Sequence, residues 1–292
     1  MKLNYTFLIL HYYTIDDTIK CVNSILEKCN RYNYNIVIVD NGSKNNSGKE
    51  LKKMYVDNKK IHVIINEKNL GFANGNNVGF KYIRDNLKTD FIIMCNNDTL
   101  LLQDNFLSLI EKEYKFSNFS VLGPKILLPN NKTNKVKLSI PNTKVLKKEL
   151  FDYRLEYITS CICMHTIYKK IRLLLKKALT VLRIKKEVKN QIQDPNIRYK
   201  NIVLHGSFLI FSKVYIDMFE GIDDRTFLYK EEELLAIRLK KNNLINIYNP
   251  DIVIFHNEDS STNAITKSNR KKIIFVSKNM IKSIKILLNE IK

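Results

Sequence analysis

Apolar residues in the first 128 positions come in short continuous runs at about 5–12, 35–40, 61–66, 91–96 and 120–128. All five read as strands, and Phe91 to Cys95, apolar throughout, predicts one buried on both faces of a parallel sheet. Between the first two runs, Ile19, Val22, Ile25 and Leu26 recur at helical spacing behind Asp16 and Asp17, either of which suits a helix start. Strand and helix patterns alternating across short joints predict an α/β fold: a mostly parallel, doubly wound central sheet flanked by helices. Ligands of such sheets gather at the carboxyl ends of the strands.

The alternation breaks at a Pro/Asn/Lys loop, Pro129 to Pro141, followed by a stretch of helical character from about 150 to 192. In it Ile167, Ile171, Leu174, Leu175, Ala178, Leu179 and Leu182 fall on one face and basic residues on the remainder. The sheet pattern returns at 201–211, an acidic helix start follows at Glu231-Glu232-Glu233, and another strand at 252–256. A basic helix from about 267 to 291 ends the chain. The expected divisions are 1–128, a helical insertion at 129–200, a second half of the same domain at 201–262, and the helix at 263–292.

Charge sharpens the middle segment. The net charge is +20, and residues 129–200 carry 18 basic against 5 acidic residues. That surplus predicts an anionic partner: membrane head groups, a phosphorylated substrate or nucleic acid. A basic amphipathic stretch over 165–190 reads as a peripheral membrane contact, the alternative being a helix that packs its apolar face on the domain and solvates its lysines. Nucleic acid is not expected, because residues 169–192 interleave no aromatics with the basic positions. The chain enters a strand pattern at once, without a signal-peptide pattern, so it is expected in the cytoplasm, at the inner face of the plasma membrane. Five cysteines, an odd number without zinc-site spacing, read as reduced and structural.

Candidate chemistry lies at the strand ends. Asn96-Asn97-Asp98-Thr99 closes the run 91–95 with one carboxylate among amides, either a cation ligand or a helix cap. Asp40-Asn41-Gly42-Ser43 closes the second strand, where a carboxylate can accept hydrogen bonds from a nucleoside. The third strand leads into Asn69-Leu70-Gly71-Phe72-Ala73-Asn74-Gly75-Asn76-Asn77-Val78-Gly79, a glycine- and amide-rich run that lets backbone approach a phosphate at a helix start.

In order and spacing these pieces, with Ile9-Leu10-His11-Tyr12-Tyr13, Gly206-Ser207, Phe227 to Glu232, and His256 with Ser260-Ser261-Thr262, resemble the family 2 glycosyltransferases, inverting nucleotide-sugar enzymes of the GT-A fold. The combination looks most like the branch of rhamnosyltransferases and other surface-polysaccharide enzymes. The resemblance covers about 1–128 and 201–262. It implies a nucleoside-diphosphate sugar donor, UDP- or dTDP-linked and dTDP-rhamnose among the options, and a saccharide or lipid-linked acceptor. Tyr12, Asp40, Asn41, Asn69, Gly71, Asn76, Asn96 and Asn97 would form the nucleotide and donor site, and Gly206 and Ser207 the acceptor side. Asp98 and His256 would hold Mg2+ or Mn2+. Glu232 would be the catalytic base, with Glu231 supporting or alternative. Asn96 stands where the family has the first Asp of an Asp-x-Asp motif, so one carboxylate plus diphosphate oxygens would bind the cation weakly without substrate. A helix-dipole role for the acidic turn and a structural role for His256 are the plain alternatives. At the level of function the alternatives are a sugar-1-phosphate nucleotidyltransferase, against which His11-Tyr12-Tyr13-Thr14-Ile15 speaks, or a non-catalytic anion- or nucleic-acid-binding protein.

Overall fold

The structure, a computed structural model, describes residues 3–129, 132–166, 168–170, 172–174, 193–257 and 269–291. Its elements run β1 (Asn4–His11), α1 (Ile15–Lys28), β2 (Asn33–Asp40), α2 (Ser47–Met54), β3 (Ile61–Ile65), α3 (Phe72–Asn86), β4 (Phe91–Asn96), β5 (Thr99–Leu101) and α4 (Phe106–Ser117). There follow β6 (Val121–Leu128), β7 (Lys132–Thr133), α5 (Thr143–Cys161), β8 (Tyr199–Lys200), β9 (Phe208–Ser212), α6 (Lys213–Met218), α7 (Glu231–Lys241), β10 (Asn246–His256) and α8 (Asn269–Glu290).

The main path of the sheet has the order β3-β2-β1-β4-β9-β6-β10-β5, and helices flank it. The first four strands are parallel, as the alternation of the sequence predicts. Strand β9 enters between β4 and β6 antiparallel to both, so segments from 1–128 and 201–262 interleave in one sheet. The apolar runs are continuous because both faces are covered. From β1, Tyr5, Phe7 and Ile9 enter the core that includes Val22 and Ile25 of α1 and Phe106 and Ile110 of α4, while Leu8 enters the one with Phe80, Tyr215 and Leu235. A third cluster joins α5 and α8 to α7 through Leu146, Ile284, Leu287, Leu234 and Ile237.

Two sequence expectations change, at the start of α5 and at the cysteines. The helix placed from about 150 starts at Thr143, because the Asn142 side chain accepts the Val145 N–H and caps it. Most of the basic amphipathic stretch, 175–192 with Ala178, Leu179 and Leu182, lies outside the described residues, as do Ser260 to Thr262. Cys21, Cys29 and Cys95 are buried thiols, whereas Cys161 and Cys163 are exposed. Among the described residues no helix is long and apolar enough to cross a membrane.

Candidate active site

Parallel pairing brings the ends of β1, β2 and β4 to one edge: His11 lies opposite Asp40, and Leu10 opposite Asn96. Asp40 is buried and accepts the Ser43 N–H; burial pushes its carboxyl up from the usual carboxylate range, against that bond. Tyr12 reaches the same corner, hydrogen-bonded to Asn69, with its ring edge-on to Tyr13. Buried His11 bridges Thr18 Oγ1 and Ser47 Oγ, both at 2.7 Å, and burial lowers its pKa to about 4. A neutral imidazole there ties α1 and α2 to β1.

Asn41 works as a clasp. Its amide donates to Asn69 Oδ1 and Gly71 O, and its oxygen accepts the Leu70 N–H at 3.0 Å. Gly71 turns at φ +86°, and an added Cβ would lie 2.3 Å from Phe227 O, the carbonyl that also accepts the Phe72 N–H. At Gly79 a Cβ would stand 2.2 Å from Leu8 Cδ1, so this glycine brings α3 close to the sheet rather than exposing backbone to a ligand. Asn76 is buried on α3 with its amide on Phe72 O and its Oδ1 unpartnered.

The neighbouring amides join the two halves of the sheet domain. Asn77 donates to Ile222 O and accepts from Ile222 N–H, both at 2.9 Å, and Asn74 donates to Asp224 O. Asn77→Ala strands two backbone groups of the segment that leads to α7. It is expected to destabilise the protein by about 2–4 kcal/mol, read as a lowered urea midpoint with an unchanged slope.

Asp98 is not a helix cap. Asn97 and Asp98 form the turn between β4 and β5, and β5 pairs antiparallel with β10 so that Thr99 faces His256. The buried pair Asp98 Oδ1 and His256 Nε2 stands 3.1 Å apart, and Asp98 O accepts the Asn257 N–H. Asn97 points back to α1, donating to Thr14 Oγ1 and Thr18 Oγ1 at 2.8 and 2.9 Å. Asn96 bonds Ser207 O through its N–H, and its carbonyl accepts the Thr99 hydroxyl. Among the described residues no group of three His, Cys, Asp or Glu could hold a metal. One carboxylate and one imidazole, both buried, with His256 Nδ1 unpartnered, fit a divalent cation only if a ligand completes its shell.

Tyr229 and Lys230 take left-handed conformations in succession, φ +74° and +69°, and turn the chain into α7. Glu232 Oε1 accepts the Gly206 N–H at 2.8 Å, with His205 Nε2 3.8 Å away, and Oε2 pairs with Lys137. Burial pushes the Glu232 carboxyl up, but His205, Lys137 and the Gly206 N–H outweigh it and hold it below the ordinary value. Glu231 accepts the Thr226 hydroxyl at 3.0 Å, and burial raises its pKa to about 7. Glu233 turns away to Lys230, which also binds Glu149 of α5.

The rings of His205 and His256 lie 6.0 Å apart, so the α7 carboxylate and the Asp98 turn converge. Ser207 Oγ bonds His205 Nδ1 at 2.8 Å. A Cβ at Gly206 would meet Glu232 Cγ at 3.5 Å, an ordinary contact, so protein packing does not demand a glycine there. Sequence reasoning missed Lys137, which sits among the interchangeable lysines of the 129–141 loop. Its local signal is a place between the apolar Val136 and Leu138.

The family described as Glycosyl transferase family 2 matches residues 7–178. No curated protein matches the chain. Among solved structures, S. aureus TarS 1–349 in complex with UDP-GlcNAc is 18% identical over 49% of this chain and 38% of its own, with a TM-score of 0.37. GalNAc-T7 with UDP, GalNAc and Mn2+ is 12% identical over 89% of this chain and 44% of its own, with a TM-score of 0.57. The chain thus spans less than half the length of both, and the second likeness is one of fold.

Proposed function

The chain belongs to glycosyl transferase family 2, and from that membership and the geometry above we propose that it moves a sugar from a nucleoside-diphosphate sugar to a saccharide or lipid-linked acceptor, with inversion. The observation that carries the reading is the convergence at one sheet edge of the Asp98 and His256 pair with Glu232, held by the Gly206 N–H. A UDP- or dTDP-sugar, dTDP-rhamnose included, and cell-surface polysaccharide synthesis follow from the motif resemblance. So does a place at the inner face of the membrane, to which the basic stretch 165–190 would add contact.

Inversion needs the acceptor oxygen to attack the anomeric carbon opposite the departing diphosphate. Glu232 takes the hydroxyl proton as the new C–O bond forms, and the bond from carbon to the diphosphate oxygen breaks with its electron pair on the leaving group. Tyr12 and Asp40 would hold the base, and the clasped segment 69–71 the rest of the donor. Asp98 and His256 would hold Mg2+ or Mn2+, which supplies charge stabilisation to the departing diphosphate. Lys137 keeps Glu232 ionised and aimed.

A panel of nucleotide sugars with the intact protein tests this reading. Release of free nucleoside diphosphate from one donor, stimulated by Mn2+ and abolished by EDTA, is the expected result. Pyrophosphate from a nucleoside triphosphate plus a sugar 1-phosphate, with no turnover of any nucleotide sugar, would move the activity to the nucleotidyltransferases. Lys137→Met removes one of the charges holding the base ionised, so the acidic limb of kcat/KM should move to higher pH.

A further inference from the structure

We propose that the outward face of α5 is a docking surface for an anionic membrane. Helix α5 carries apolar residues on two opposite sides. Leu146, Leu150 and Tyr153 pack against α8, as a helix on a domain surface requires. Phe151, Ile158 and Ile162 point the other way and are 60, 53 and 57% exposed. At 3.6 residues per turn these three share an arc of roughly 120° with Lys147, Lys148 and Arg154. Single exposed apolar residues are ordinary, but three in register along about three turns, accompanied on the same arc by cations, are not.

Charge identifies the occupant. Every acidic residue of α5 is paired within the chain: Glu149 with Lys230, and Asp152 and Glu156 with Arg172. Lys147, Lys148 and Arg154 are exposed, and no acidic partner is found for them among the described residues. A face of Phe and Ile edged by uncompensated cations fits a lipid interface, where rings and branched chains enter the acyl boundary while lysine stems reach back to the head groups. Glu149 links the inner side of this helix to Lys230, the residue before Glu231, so docking would hold the α7 carboxylates at a fixed height above the lipid. This surface is formed by residues other than those of the 165–190 stretch, whose Arg172 pairs with Asp152 and Glu156, and the proposal is independent of the sugar chemistry.

Flotation of the full-length protein decides it, with vesicles of phosphatidylcholine alone and of phosphatidylcholine mixed with phosphatidylglycerol. The protein should float with the mixed vesicles and stay down with the neutral ones. Phe151→Asp with Ile158→Asp should release it, and Lys147→Glu with Lys148→Glu should lower partitioning by about fivefold for each lysine lost. Thermal melts and turnover of a soluble donor should be those of the parent, because none of the four residues touches the core or the site. Equal flotation of parent and both variants would overturn the assignment, as would a parent that binds neither vesicle. A concentration-dependent dimer abolished by the same substitutions would overturn it too, making this face a contact between two copies.

Discussion

Glu232→Gln is expected to lower kcat for transfer by about 10²–10⁴-fold, the usual range for loss of a general base, while nucleoside diphosphate binding should stay at the parent value. The amide keeps the shape and can still accept the Gly206 N–H, but it cannot take a proton, and its NH2 group faces Lys137. Glu231→Gln should cost far less. The two carboxylates also predict pH profiles that rise at different places. With Glu232 as base, activity requires its ionised form, whose pKa lies below the ordinary carboxylate value, so the rate is already flat near neutrality and falls only in acid. With Glu231 as base, the rate would climb through pH about 7, where that buried carboxyl ionises. Measuring kcat/KM from acid to neutral pH in the parent separates them. A rise centred near 7 together with an inactive Glu231→Gln would transfer the role to Glu231.

The strands were legible because they are local. An apolar run of five with amides after it can be recognised without knowing its neighbours. The pairing of Asp98 with His256 was legible only through motif resemblance, since nothing in either segment states that β5 and β10 meet. The short strand β5 was missed for the same reason: three residues carry no period, and Thr99–Leu101 becomes a strand by lying against His256. Roles set by side-chain direction were the least readable. Asn97 stands beside Asp98 in sequence yet turns to Thr14 and Thr18, and Asn41 follows Asp40 yet spends its amide on the 69–71 backbone. Lys137 depends on a contact 95 residues away, which no composition or spacing encodes.

Asp98→Asn should cost about 10²–10³-fold in transfer and remove the stimulation by Mn2+, a loss typical of one electrostatic partner of a leaving group. The substitution keeps the volume and the turn, and leaves His256 a hydrogen-bond acceptor at the same distance. A loss of activity with an unchanged melting temperature therefore reports charge rather than folding. The effect is large because the site has no second acid to fall back on: Asn96 is neutral, and no three-residue ligand group exists among the described residues. For the same reason cation and donor should bind each other's complex more tightly than the free protein. A carboxylate and an imidazole fill two of about six positions around Mg2+ or Mn2+, and the diphosphate oxygens must supply others. Titration calorimetry should show weak Mn2+ binding to the protein alone, strong binding once nucleoside diphosphate is present, and the reciprocal gain for the nucleotide. In Asp98→Asn both enhancements should disappear together. Full EDTA-sensitive activity in that variant would show that the cation is held elsewhere and that the Asp98 and His256 pair is a strut between β5 and β10.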